Sequence, residues 1–183
     1  TDGDGNSYLT GSFYGMATFS NLPPITAGLQ GDLYVAKYDA DGTALWVVHT
    51  GGDSFDEAMA VSVDGAGNVY ITGYFQSTSI DFGAEPLVRS GLTDIFVAKY
   101  SADGVFQWAK RYGSNSTQLE MGSAIVAEDD GDVHVTGIYR NTLEVPGQSL
   151  LESCMTREDM FLMKLDTDGN ALWSKRPGCT NDD

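Results

Sequence analysis

One sequence pattern is written three times in this chain, and that repetition limits the possible folds more than any other feature. The segment Gly5-Asn6-Ser7-Tyr8-Leu9-Thr10-Gly11 returns as Gly67-Asn68-Val69-Tyr70-Ile71-Thr72-Gly73, and again as Gly131-Asp132-Val133-His134-Val135-Thr136-Gly137. A second block, Asp32-Leu33-Tyr34-Val35-Ala36-Lys37-Tyr38, recurs as Asp94-Ile95-Phe96-Val97-Ala98-Lys99-Tyr100 and as Asp159-Met160-Phe161-Leu162-Met163-Lys164-Leu165. Each second block is followed by Asp-Gly and then a tryptophan: Trp46, Trp108 or Trp173. The period is about 62 to 65 residues. A fixed period of this kind marks one supersecondary unit that buries its apolar face only by stacking on its neighbours.

The second copy predicts four short strands. Ala58 to Val63 alternates, and Asp64-Gly65-Ala66-Gly67-Asn68 is a hairpin turn whose Gly and Asn tolerate positive φ. Val69 to Phe75 is rich in strand-forming types. After a longer connection through Asp81-Phe82-Gly83 and Pro86 come Asp94 to Tyr100, a turn at Ser101-Ala102-Asp103-Gly104, and Val105 to Lys110. Helical periodicity is absent. Four antiparallel strands per repeat, stacked in series, predict an all-β fold: a β-propeller with about three blades present. The blades are expected over residues 1–49 (first strand missing), 50–111 and 112–176, with 177–183 starting a further repeat. Propellers close with roughly four to eight blades. Further blades are therefore expected, from the same chain or from other copies, since an open arc exposes strand edges. The chain opens inside a repeat, at Thr1-Asp2-Gly3-Asp4-Gly5, as a processed product or a piece of something longer would.

The strings Gly67-Asn68-Val69-Tyr70-Ile71-Thr72-Gly73 and Asp94-Ile95-Phe96-Val97-Ala98-Lys99-Tyr100, with Ala-Asp-Gly before a tryptophan, resemble the bacterial β-propeller repeat family known as SBBP. The resemblance covers nearly the whole chain. It implies a propeller of secreted or cell-surface proteins, often large and multidomain, and it implies no activity, because that family shares a scaffold and no catalytic motif.

Charge narrows the partners. With 26 acidic and 10 basic residues the formal net charge is −16, which repels phosphate backbones and anionic lipid, so neither nucleic acid nor a membrane surface is expected as a partner. No apolar run approaches the roughly 18 residues that span a bilayer. The Asp-Gly turns at Asp2 to Asn6, Asp39 to Gly42 and Asp166 to Asn170 offer clustered oxygens that could hold calcium. An EF-hand loop needs Gly at its sixth position and an acid at its twelfth, and here those positions are Ser7 and Phe13, or Ala171 and Pro177. Ordinary Asx turns are the expectation, with no metal site and no cofactor.

Other recurring residues read as scaffold. Lys37, Lys99 and Lys164 lie in apolar strands, with packed stems and amines expected on a carboxylate or carbonyl. Asp32, Asp94 and Asp159 open the same strands as partners or turn caps. Trp46, Trp108 and Trp173, with Tyr8, Tyr70 and His134, are expected to fill the wedge between units. No Gly-x-Ser-x-Gly elbow, phosphate loop or His-based triad is present, so no catalytic residue is assigned. Cys154 lies in the connection between the second and third strands of the last unit, and Cys179 just after its fourth strand. Those connections emerge at one end of an antiparallel blade. A Cys154–Cys179 disulfide is therefore geometrically reasonable and fits an oxidising, extracellular setting; two free thiols are the alternative.

These features favour a non-catalytic module of a secreted or cell-surface prokaryotic protein, serving adhesion, interaction with protein or glycan, or surface assembly. Specificity is expected in the connections Met16 to Gly31, Gln76 to Thr93 and Arg140 to Glu158, which differ between copies. The alternatives are part of a propeller enzyme acting on polysaccharide, and a structural spacer in a fibre or envelope layer.

Overall fold

The structure is a computed structural model that describes residues 1–28, 30–115, 117–153 and 158–176. Its first unit holds β1 (Ser7–Phe13), β2 (Met16–Ala17), β3 (Ile25–Thr26), β4 (Asp32–Tyr38) and β5 (Ala44–Thr50). The second holds β6 (Asp56–Val63), β7 (Val69–Phe75), β8 (Ser79–Ile80), β9 (Leu87–Val88), β10 (Asp94–Tyr100) and β11 (Phe106–Tyr112). The third holds β12 (Glu120–Ala127), β13 (Val133–Arg140), β14 (Thr142–Leu143), β15 (Leu151–Glu152), β16 (Glu158–Leu165) and β17 (Ala171–Lys175). No helix occurs among the described residues, and so none is long and apolar enough to cross a membrane.

Each of the last two units is a four-stranded antiparallel sheet, ordered β6-β7-β10-β11 and β12-β13-β16-β17; the first is three-stranded, β1-β4-β5. In each unit the long connection, between β1 and β4, β7 and β10, or β13 and β16, folds into a small hairpin of two-residue strands: β2-β3, β8-β9 or β14-β15. The sequence did not predict these hairpins, because strands this short carry no periodicity. The expected bounds of β7 and β10 hold. β6 starts two residues before Ala58, at Asp56, and β11 runs on to Tyr112. A register shift between Ala58 and Ala60 interrupts the alternation that would have revealed the longer β6.

Turn chemistry repeats with the sequence. Asp64 accepts hydrogen bonds from the backbone N–H groups of Ala66 (2.9 Å) and Asn68 (2.8 Å), while Gly67 takes φ +82°. Asp2 and Asp166 do the same for their own turns. These are the Asx turns expected of the Asp-Gly segments.

The sheets stack face to face through two apolar layers. Leu33 and Val35 of the first unit pack with Val69, Ile71, Phe96, Ala98 and Tyr100 of the second. Tyr70, Ile95, Val97 and Tyr112, on the opposite face of that second sheet, pack with Val133, Val135, Phe161, Met163 and Leu165 of the third. Strand alternation makes this possible, since Ile95 and Val97 point one way and Phe96 and Ala98 the other. The sheets come close at Gly122, where a Cβ would stand 2.3 Å from Thr72 Oγ1 of the neighbouring unit.

Candidate functional site

The two ends of the stacked sheets differ, and the repeated residues gather at one of them. Trp46 Nε1 donates to the carbonyl of Ala102 (3.1 Å) and Trp108 Nε1 to that of Thr167 (2.9 Å), each acceptor lying in the third-to-fourth-strand turn of the next unit. Lys37 and Lys99 donate to the same two carbonyls, at 3.4 and 3.2 Å. Each ammonium also lies over a ring of its own unit, Lys37 over Tyr8 at 5.4 Å and Lys99 over Tyr70 at 5.0 Å. Tyr8 and Tyr70 meet Trp46 and Trp108 edge-on, at 6.3 and 6.2 Å. The aromatic and lysine positions therefore fasten one unit to the next.

The third unit departs from this pattern. Lys164 Nζ bonds Glu128 Oε2 (3.0 Å) and sits 3.1 Å from Asp132 Oδ2, while His134 stacks tilted on Trp173 at 5.7 Å. Glu128, Asp130 and Asp132 are close enough together to hold a cation. Glu128 and Asp132 meet the Lys164 ammonium, whose own pKa these two carboxylates raise.

The opposite end carries the connections and a buried charged group. Asp94 is fully buried and caps the loop before β10, accepting from the N–H groups of Ser90 (2.8 Å) and Gly91 (3.2 Å). Its charge partner is Arg111, with Nη1 at 2.7 Å from Oδ2, and not the neighbouring lysine. Asp32 likewise caps Gly28 (3.0 Å) and faces His49 Nδ1 at 3.4 Å, so these aspartates are turn caps. Glu120, also fully buried, accepts from Ser114 N (3.0 Å) and Ser114 Oγ (2.6 Å). A Cβ at Gly113 would meet Glu120 Oε2 at 2.5 Å and Asp94 Oδ1 at 2.8 Å, so only glycine fits between the two carboxylates. Burial pushes the Glu120 carboxyl up to about 7, and nearby Asp94 adds to the rise against the Ser114 hydrogen bonds and the Arg111 charge.

The same device stands at the start of the second unit. Asp56 is fully buried, accepts from Gly52 N (3.0 Å) and Ser77 Oγ (2.6 Å), and has its pKa raised by burial. A buried acid thus stands at the start of both units, its carboxyl bonded within its own unit. Paired carboxylates for hydrolysis would instead face an open site.

Two features of this end do not repeat. A cleft of about 430 Å³ opens beside Arg111, walled by Gly113, Glu144, Val145, Pro146 and Leu150. At the first junction Tyr14 stacks on Phe55 (5.8 Å, 16°) and Phe55 lies 6.3 Å from Tyr74, whose hydroxyl donates to Glu57. The second junction has Gln76, Leu119 and Ile138 at these three positions. Sequence reasoning pointed to the connection Arg140 to Glu158 that supplies most of the cleft wall but singled out neither Arg111 nor the aromatic group, for which departure from the repeat was a usable signal. Cys154 and Cys179 lie outside the described residues.

Comparison with known proteins is sparse. No family model matches the chain. It is 24% identical over 119 residues to the uncharacterized WD repeat-containing protein L264 of Acanthamoeba polyphaga mimivirus, covering 56% of this chain and 8% of that protein. It is 26% identical over 161 residues to the regulatory protein FlaEY of Caulobacter vibrioides, covering 84% of this chain and 16% of that protein. The chain thus spans less than a fifth of the length of either relative.

Proposed function

We propose that the chain is three successive blades of a β-propeller and serves as a non-catalytic interaction module within a larger protein. The observation that carries this is the division of labour between the two ends. One end repeats the Trp and Lys bonds to the next unit's carbonyls, while the other bears connections that differ in every unit. The mimivirus relative's name, a WD repeat-containing protein, supports the same reading, since such repeats build propeller blades. The SBBP resemblance extends it to a secreted or cell-surface bacterial protein that attaches to protein or glycan. A Cys154–Cys179 bridge belongs with that setting and is checked by non-reducing peptide mapping.

Exchanging the three connections among the units tests the module. The expected result is an unchanged far-ultraviolet spectrum and melting transition, with attachment of the full-length protein to its surface or partner abolished. Attachment that survives the exchange overturns the reading. So does cleavage of a polysaccharide that depends on an acidic residue of these units.

A further inference from the structure

The Arg111 side chain is held by one edge only. Its Nη1 donates to Asp94 Oδ2 (2.7 Å), Ser90 Oγ (2.8 Å) and the Gly113 carbonyl (3.2 Å). Nε and Nη2 meet no acceptor among the described residues, and the side chain is 30% exposed where it lines the cleft. A guanidinium is planar, so anchoring Nη1 on a fully buried carboxylate fixes the direction of the free Nε–Nη2 edge. That edge presents two parallel N–H donors, the geometry that matches both oxygens of a carboxylate.

The surroundings add chemistry to the anchor. Val145, Pro146 and Leu150 give the cleft an apolar wall, and Leu150 is 47% exposed. Across Pro146 and Gly147 a second cleft of about 450 Å³ holds Lys110 together with Arg111. The two clefts share Arg111, Pro146 and Gly147, so a second of the chain's ten cations stands in the adjoining cleft of a protein with net charge −16. Glu144 lines the first cleft, beside Arg111, and opposes an anion there. The free edge must outweigh it, which favours a ligand that pairs bidentately over a diffuse anion. At the first junction the residue facing the equivalent aspartate is His49, which has no such fork.

We propose that this groove binds a carboxylate carried next to an apolar side chain, as at the C terminus of a peptide, with the Nε–Nη2 edge of Arg111 receiving the carboxylate and Val145, Pro146 and Leu150 the side chain. The groove would be one partner site of the interaction module. Connection exchange that abolishes attachment while no peptide binds here removes this site and leaves the module standing.

The test is a titration of the whole chain with acetyl-Val-Leu, followed through the Arg111 Nε–H and the Gly113 and Gly147 amide resonances. Saturable shifts at all three are expected. Acetyl-Val-Leu-amide and inorganic phosphate should give none, and acetyl-Glu-amide only weak ones. Arg111→Lys keeps a charge for Asp94 and removes the fork, so binding should fall about tenfold or more. Leu150→Asp lies outside the Asp94 contact and should weaken binding similarly with the native spectrum intact. Equal shifts with the amide, no saturable shift with the free acid, or undiminished binding in both variants would overturn the proposal. Acetyl-Glu-amide binding as tightly as the free acid would move the ligand from a C terminus to an acidic side chain and overturn it too.

Discussion

Ile95 and Val97 of the second unit and Met160 and Leu162 of the third stand at the same places in the repeat. The first pair is fully buried, whereas Met160 is 57% and Leu162 42% exposed. Leu33 and Val35 of the first unit are buried like the former pair. The tryptophans divide the same way. Trp46 and Trp108 reach carbonyls of the next unit, and Trp173 Nε1 has no acceptor among the described residues. On the opposite face, Leu9 is 48% exposed where its counterparts Ile71 and Val135 are buried. Composition does not separate these positions, because all of them are apolar. Burial comes from the adjoining sheet, so a unit's apolar faces are halves of an interface that a like unit completes. The exposed halves fit the reading, proposed above, of blades within a larger propeller.

The largest effect expected from this contrast is at Ile95. Ile95→Ala leaves a cavity between the second and third sheets and should cost about 2–5 kcal/mol in urea denaturation. Met160→Ala, at the matching position, should stay within about 0.5 kcal/mol. Equal losses would mean that the third unit's open face is covered in solution, for example by another copy, and a concentration-dependent mass would then show it.

The acid-bearing end of the same junction gives a smaller effect that depends on pH. Glu120 has its carboxyl pushed up from 4.5 to about 7 by burial, so the folded chain holds this proton more tightly than the unfolded chain. The stability linked to the proton is full below about pH 4.5 and is lost as pH rises through about 7. A shift of that size corresponds to at most about 3 kcal/mol, and solvent relaxation will reduce it. Glu120→Gln mimics the protonated acid. The variant should match the native protein near pH 4.5 and exceed it in melting temperature at pH 8, the gap opening between these values. Parallel pH curves for the two proteins would show that Glu120 ionises freely in the fold.

Much of the scaffold was legible in the sequence because its determinants lie on single strands. β7 and β10 are seven-residue runs dominated by β-branched, aromatic and small residues, with an Asp-Gly turn before β7 and another after β10, and their limits were readable to the residue. The lysines and tryptophans stood out by recurrence, but their acceptors did not. Those are backbone carbonyls, at Ala102 and Thr167, and a carbonyl leaves no trace in residue identity. The junction acids were hidden differently. Asp56 and Glu120 are one position written with two residues, and their partners Ser77 and Ser114 lie on opposite sides of the acid in the chain. Arg111 was invisible for a related reason, its counterpart being His49. A role carried by one copy alone cannot be found by looking for what the copies share.

The smallest effect concerns the tryptophans and isolates one hydrogen bond. Trp108 and Trp173 are both partly buried, both pack on the aromatic residue of the preceding block, and differ in whether the indole N–H has an acceptor. Replacing each by Phe removes ring area in both cases and a hydrogen bond in one. Trp108→Phe should therefore cost about 1 kcal/mol more than Trp173→Phe, since the Thr167 carbonyl loses the indole donor. The Lys99 ammonium, 3.2 Å from that carbonyl, can compensate in part. Adding Lys99→Met should thus widen the Trp108→Phe loss beyond the sum of the two single changes. If the double variant is simply additive, the indole and the ammonium act on the carbonyl independently. Each unit is then fastened to the next by two separate bonds instead of one shared acceptor.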